Sequence, residues 1–407
     1  MVQIAIVADD LTGAADTGAR FASTGSFTVV SFRPGRLPQA DVLALSTNGR
    51  NLSQAEATRR VREASDYLPS DSMQRMWIYK KIDSTLRGHP AAELSTLMDA
   101  LAIDRALIAP AFPQQHRTTR QGCQLIDGWP FATTSFGQEV PTSNLVDLFQ
   151  RTAGDRPVCL IDLAVVRRGM EPVAEMLRQT GASLFVADAE TDADLKTLAQ
   201  AATVGGIRLL CGSAGLAGAL QKVLEIVPAV RSLKFPEPPD GPVLTVAGSR
   251  HHSTARQIEV SCSAGAVVLC PRSSPTMQGS QLAEIVSTAG EQMSRGQDVI
   301  LTTLGMADHP DRQAVTVMLS RIVTALIERT EMGGLILTGG ETAVTVCSEL
   351  QSTSLCLQGE IEPGIPWSRF LDGKYRGLPV VTKAGGFGAD DALVVAGRFL
   401  RALSGGR

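Results

Sequence analysis

Two adjacent carboxylates, Asp9 and Asp10, follow the apolar run Ile4-Ala5-Ile6-Val7-Ala8 and precede Leu11-Thr12-Gly13-Ala14-Ala15. Neighbouring carboxylates repel unless a hydroxyl, a proton or a cation sits between them. A short β-branched run ending in such a pair reads as a buried parallel strand that delivers acids to its C-terminal edge. Ligands bind at that edge in open α/β sheets. The pair suits orientation of hydroxyls, with one of the two as proton acceptor. Helix capping by Asp10 or Thr12 is the plainer role for the same residues. A second group, Lys81-Ile82-Asp83-Ser84-Thr85-Leu86-Arg87, sets cations on both sides of Asp83 and Ser84. An arginine fork matches a carboxylate, so Arg87 and Lys81 are candidates for gripping a small acid, with a surface ion pair as the alternative. Arg117 is a further candidate for clamping an anion. His89 and His116 read as hydrogen-bond donors or as ordinary polar contacts.

Three glycine-bearing turns stand in the C-terminal half: Ala247-Gly248-Ser249-Arg250-His251-His252-Ser253, Thr338-Gly339-Gly340-Glu341-Thr342, and Lys383-Ala384-Gly385-Gly386-Phe387-Gly388. Glycine lets backbone N–H groups approach an anion, and a helix N-terminus adds partial positive charge. Together the turns predict a nucleotide triphosphate cradle, in which Ser249, Ser253, Gly339, Gly340, Glu341, Thr342, Gly385 and Gly386 are the candidate contacts. Lys383 is placed to neutralise phosphate or simply to be solvated, and Asp390 and Asp391 to cap the last helix. Neither G-x-x-x-x-G-K-[ST] nor a G-x-G-x-x-G after the first strand occurs, which argues against a P-loop enzyme and a dinucleotide dehydrogenase.

The elements that must hold these residues are short, continuous apolar runs, as expected of strands covered on both faces. Before residue 234 they are Ile4–Ala8, Phe27–Ser31, Val42–Ser46, Trp77–Lys81, Ala106–Ala109, Val158–Ile161, Leu184–Ala187 and Arg208–Cys211. After it they are Val243–Ala247, Ala266–Leu269, Asp298–Thr302, Gly334–Leu337 and Val380–Val381. The stretch 234–242 carries four prolines in nine residues and reads as a stiff linker. The expected organisation is a substrate domain over 1–233, the linker 234–242, and a nucleotide-binding domain over 243–407. The expected fold class is α/β: two domains, each a mostly parallel sheet flanked by helices, with the active site in the cleft between them. A chain of 407 residues exceeds what one core usually supports.

A formal net charge of −3 with interspersed signs argues against nucleic-acid binding. No apolar run approaches the roughly 20 residues that cross a bilayer, so no membrane association is expected. Seven scattered cysteines without a framework suit reduced thiols. With the first strand so close to Met1, a cytoplasmic protein is expected. A homodimer is the expectation from the frequency of two-fold assemblies.

The segments Ile4–Ala14, Lys80–Gly88, Ala109-Pro110-Ala111-Phe112-Pro113, Cys211–Ala217, Gly339–Thr342 and Lys383–Gly388 together resemble the four-carbon acid sugar kinases, formerly a domain of unknown function, in family order along nearly the whole chain. The resemblance implies transfer of the γ-phosphate of ATP to the terminal hydroxyl of a tetronate. It implies an acid-sugar site on the N-terminal domain, and Mg²⁺ accompanying the nucleotide. Asp9, Asp10 and Arg87 are then the catalytic candidates, and Asp9, Asp10, Lys81, Asp83, Ser84, Arg87 and Arg117 the substrate contacts. No metal ligands are assigned. The 80–88 segment is more similar to threonate and erythronate members than to 3-oxo-tetronate members. The chain departs from the family pattern at His89, at His116, and around Phe136-Gly137-Gln138-Glu139. Alternatives to D-threonate or D-erythronate are a 3-oxo-tetronate 4-kinase and a sugar-acid sensor without activity. An aspartyl-phosphate hydrolase is disfavoured because Leu11 stands where its second Asp belongs.

Overall fold

The computed structural model describes residues 2–33, 39–69, 73, 75–134, 137, 140, 142–229, 233–271, 279–306 and 312–404. Phe136, Gln138 and Glu139 lie outside the described residues. The chain divides into two units, one of Met1–Phe27 with Arg36–Val230, the other of Thr28–Gly35 with Arg231–Arg407.

In the first unit seven strands run parallel in the order Val42–Ser46, Ile4–Ala8, Trp77–Lys81, Leu209–Gly212, Ala106–Ala109, Leu184–Ala187, Val158–Ile161. Ile4–Ala8 is buried at every position, which is why it reads as an unbroken apolar run. The next two strands of this sheet, Val42–Ser46 and Trp77–Lys81, flank it on opposite sides. The order of the sheet therefore reverses at Ile4–Ala8, and such a reversal opens a crevice beyond the carboxyl ends of the strands. A small antiparallel sheet of Arg117–Arg120, Cys123–Ile126 and Trp129–Pro130 completes the unit. Its strands are only two to four residues long, and Arg117–Arg120 is wholly polar, so they escape a search for apolar runs.

The second unit repeats the logic. Val267–Leu269, Val299–Thr302, Val243–Ala247, Gly334–Thr338 and Pro379–Lys383 form a parallel set in that order, with the reversal at Val243–Ala247. An antiparallel extension follows: Ile365–Phe370, Ser354–Glu362 and Thr28–Ser31. Thr28–Ser31, read from sequence as part of the first half, is thus a strand of the second unit, paired with Ser354–Leu357. The pair Ser354–Glu362 and Ile365–Phe370 was not expected, because Gln358, Gly359 and Pro366 interrupt its apolar pattern. Among the described residues no helix is long and apolar enough to cross a membrane.

Candidate active site

Ala8 is in register with Ser46 on one side and Lys81 on the other, so the segments that follow these three strands share one edge. Asp9 and Asp10 emerge there. Asp10 takes an extended conformation and caps the helix Leu11–Ala22, accepting from Gly13 N at 2.9 Å and from the Thr12 hydroxyl at 2.6 Å. The capping role is therefore real, and it fixes the carboxylate beside its neighbour.

The cation that resolves the repulsion is Arg50, which the sequence reading missed. Its Nε and Nη2 donate to the two oxygens of Asp9, each at 2.7 Å. Its Nη1 and Nη2 donate to Asp10 at 2.9 and 2.7 Å, and Nη1 lies 3.9 Å from Asp83. The available cue was position: Arg50 lies just past Val42–Ser46, the strand beside Ile4–Ala8. Burial alone would raise the Asp9 carboxyl, but Arg50, with Lys80 and Lys81, outweighs it and holds Asp9 below the ordinary carboxylate value. Burial of Asp83 is likewise overcome by Arg50 and Arg87, leaving its carboxyl well below the usual range.

Alternation along Trp77–Lys81 sends its last two side chains to opposite faces. Lys80 is fully buried against Glu93 at 2.9 Å. Lys81 donates to Ile82 O at 3.0 Å and lies against Gly13, where an added Cβ would come within 3.1 Å of its Nζ. Arg87 is half-exposed and pairs with Asp83 at 2.5 Å. Ser84 O accepts from the buried Gln124 amide at 3.0 Å, which ties the 83–88 loop to the small sheet. Arg117 starts that sheet; its Nη1 donates to Gln115 O, while its buried Nε has no partner among the described residues. Burial pulls this guanidinium below its ordinary value despite Asp83 and Asp127. A cation left so incompletely neutralised favours an incoming anion. The structure thus gathers Asp9, Asp10, Arg50, Asp83 and Arg87 into one ion-paired cluster with Lys81 packed at its base.

The histidines have structural roles. His116 adopts a left-handed conformation, φ 56°, at the turn that leads into the small sheet. His89 Nε2 meets Leu52 O at 2.8 Å and holds the loop that follows Arg50.

In the second unit, Ala247 is in register with Thr338, and Thr338 with Lys383. The three glycine turns therefore sit side by side at one edge. They are tightly fitted: a Cβ on Gly248 would stand 2.0 Å from Thr342 Oγ1, and one on Gly385 would stand 1.9 Å from Ser249 Oγ. Gly339, at φ 98°, turns the chain into the helix Gly340–Glu349. The Ser253 N–H donates to His251 Nδ1 at the start of the helix His252–Ser263. His251 is a second residue the sequence reading passed over; its ring packs on Gly386. Lys383 is not solvated, being 1% exposed. Its ammonium donates to Ala384 O at 3.0 Å and Gly385 O at 3.4 Å, has no ion pair among the described residues, and is pushed down to about 8 by burial. Asp391 sits at the N-cap of Ala392–Ala402 without a side-chain bond, and Asp390 pairs with Arg256 at 3.4 Å.

Comparison with known proteins gives this edge chemistry a lineage. Residues 4–220 match the family model described as a sugar-binding N-terminal domain, and residues 244–393 match a nucleotide-binding C-terminal domain. The chain belongs to the four-carbon acid sugar kinase family. A D-threonate kinase of Salmonella typhimurium is 32% identical, over 96% of this chain and 97% of the relative. A D-erythronate kinase of Heliobacterium modesticaldum is 27% identical, over 96% of this chain and 95% of the relative. A crystal structure of a Salmonella typhimurium LT2 protein shares the fold, with a TM-score of 0.80 at 21% identity over 98% of this chain and 99% of its own. In this kinase family member the Asp9–Arg50–Asp10 cluster and Arg117 fall within the sugar-binding match, and the three glycine turns within the nucleotide-binding match.

Proposed function

We propose that this chain is an ATP-dependent kinase that phosphorylates the terminal (4-) hydroxyl of D-threonate, with D-erythronate the next substrate in order of preference. The observation that carries this reading is the Asp9–Arg50–Asp10 cluster at the sheet reversal, with the half-buried Arg117 lacking a partner for Nε among the described residues. A four-carbon acid sugar has the matching groups, hydroxyls at one end and a carboxylate at the other. Arg117 and Arg87 take the carboxylate, while Asp9 and Asp10 accept hydrogen bonds from the hydroxyls. Asp10, the more exposed of the pair at 15% against 3% for the side chains, receives the proton of the attacking hydroxyl. Arg50, with Lys80 and Lys81, keeps Asp9 ionised.

Phosphoryl transfer needs mainly positioning and charge neutralisation, and the glycine turns supply these for the triphosphate. Ser249, Gly339, Gly340, Thr342, Gly385 and Gly386 line it. Mg²⁺ enters as the ion already bound to ATP. We place the enzyme in the cytoplasm, where ATP is available and its seven free cysteines remain reduced. A coupled assay of ADP release over D- and L-threonate, D-erythronate and 3-oxo-tetronate tests the assignment. D-threonate gives the highest kcat/KM; binding of these acids with background ADP release identifies a sensor instead.

A further inference from the structure

The loop Ala384–Ala389 joins the strand Pro379–Lys383 to the helix Ala392–Ala402, and side chains from two elements hold its carbonyl groups. Gln257, completely buried on the helix His252–Ser263, donates through Nε2 to Phe387 O at 3.0 Å, Gly388 O at 3.1 Å and Ala389 O at 2.9 Å. One turn earlier, the Thr254 hydroxyl donates to Gly385 O at 2.8 Å. Lys383 holds Ala384 O and Gly385 O. Only the amide nitrogen of Gln257 can face three carbonyl oxygens, since the flipped amide would set oxygen against oxygen. Its Oε1 is left buried without a partner among the described residues. A buried polar atom left unsatisfied costs stability, and here that cost is offset by the three carbonyl groups that the same amide satisfies.

The consequence falls on the other side of each peptide. In a trans peptide the C=O and the next N–H point in opposite directions. With Ala384 O and Gly385 O tied inward, the N–H groups of Gly385 and Gly386 are turned away, and neither donates to any described residue. Two adjacent unpaired N–H donors on glycine make an anion-facing pair.

We propose that Gln257, acting with Thr254 and Lys383, is a positioning residue for nucleotide binding, holding the carbonyl side of the 384–389 loop so that the Gly385 and Gly386 N–H groups meet phosphate oxygens. This rests on the reading of the loop as part of an ATP site. The test compares the wild-type protein with Gln257→Leu and Gln257→Glu, measuring ATP and D-threonate dissociation constants by calorimetry and the KM and kcat for ATP. Gln257→Leu raises the dissociation constant and KM for ATP at least tenfold, with kcat and D-threonate affinity within twofold of wild type. Gln257→Glu, whose carboxyl must carry a proton to donate, binds ATP weakly at pH 8 and recovers as the pH falls to 6. The wild-type profile serves as the control for His251, Lys383 and the Arg256–Asp390 pair, the titratable groups around the loop.

ATP binding within twofold of wild type in both variants overturns the proposal. If Gln257→Leu does not fold, the pH response of Gln257→Glu decides, and a flat response overturns it. If the wild-type protein itself fails to bind ATP, the nucleotide reading has failed. Hydrogen exchange then tests the clamp alone: exchange over residues 384–389 accelerates in Gln257→Leu, and unchanged exchange refutes it.

Discussion

With Arg50 removed, Asp9, Asp10 and Asp83 would lose the one side chain among the described residues that ion-pairs with all three. Breaking a buried charge cluster from one side costs about 3–5 kcal/mol, because the remaining charges stay desolvated. Arg50→Met is therefore expected to lower stability by that order in urea unfolding and to abolish saturable D-threonate binding. The pH dependence follows from the depressed carboxyls. Asp9 and Asp83 add stability that is fully present above their unfolded values, near 3.9, and lost as pH falls through their lower folded values. In Arg50→Met those folded values rise, and acid unfolding begins at higher pH. Lys383 has the opposite sign of effect. Its folded value of about 8 lies below the ordinary 10.5, so it destabilises the folded chain fully below pH 8 and progressively less up to 10.5, by roughly 3 kcal/mol in total. The stability of wild type relative to Lys383→Met should accordingly improve between pH 7.5 and 9.5. A constant difference would show that Lys383 is not the depressed group. Arg50 did not announce itself in the sequence, and Lys383 did so only as a strand-end cation, without its burial. A lone arginine in a loop has no spacing to mark it, and the burial of a strand-end lysine depends on what packs over it.

The parallel strands were the most legible elements, because covering both faces makes each an apolar run, as in Ile4–Ala8 and Leu184–Ala187. Edge position and pairing were not legible. Thr28–Ser31 looks like any other β-branched run, yet its partner, Ser354–Leu357, is more than 300 residues away in sequence. The glycine turns were legible as types, and their convergence became visible only through the register of the strands that carry them. That convergence makes a sharp prediction at Gly385. A Cβ there would stand 2.8 Å from Ser249 Cβ as well as 1.9 Å from its Oγ, so rotation of the serine cannot relieve the clash. Gly385→Ala should weaken ATP binding by tenfold or more in calorimetry while leaving D-threonate binding intact. Equal ATP affinity would remove this turn from the nucleotide site.

Each unit carries its own reversal of strand order and its own cluster of polar residues at that edge. The division of labour this implies was readable in outline, since the acids and the glycine turns fall on opposite sides of the proline-rich 234–242 stretch. It also predicts how damage should separate. Asp10→Asn keeps the helix cap but removes a negative charge and a proton acceptor, so turnover should fall at least a hundredfold while the ATP dissociation constant stays within twofold. Loss of ATP binding in that variant would mean that the acids serve the nucleotide rather than the sugar. The most direct measurement of the central claim is ³¹P NMR of the purified protein with MgATP and D-threonate. The account predicts a phosphomonoester signal split by two methylene protons, growing in step with ADP. Release of inorganic phosphate alone, or a signal coupled to a single proton, would contradict phosphorylation of the terminal hydroxyl.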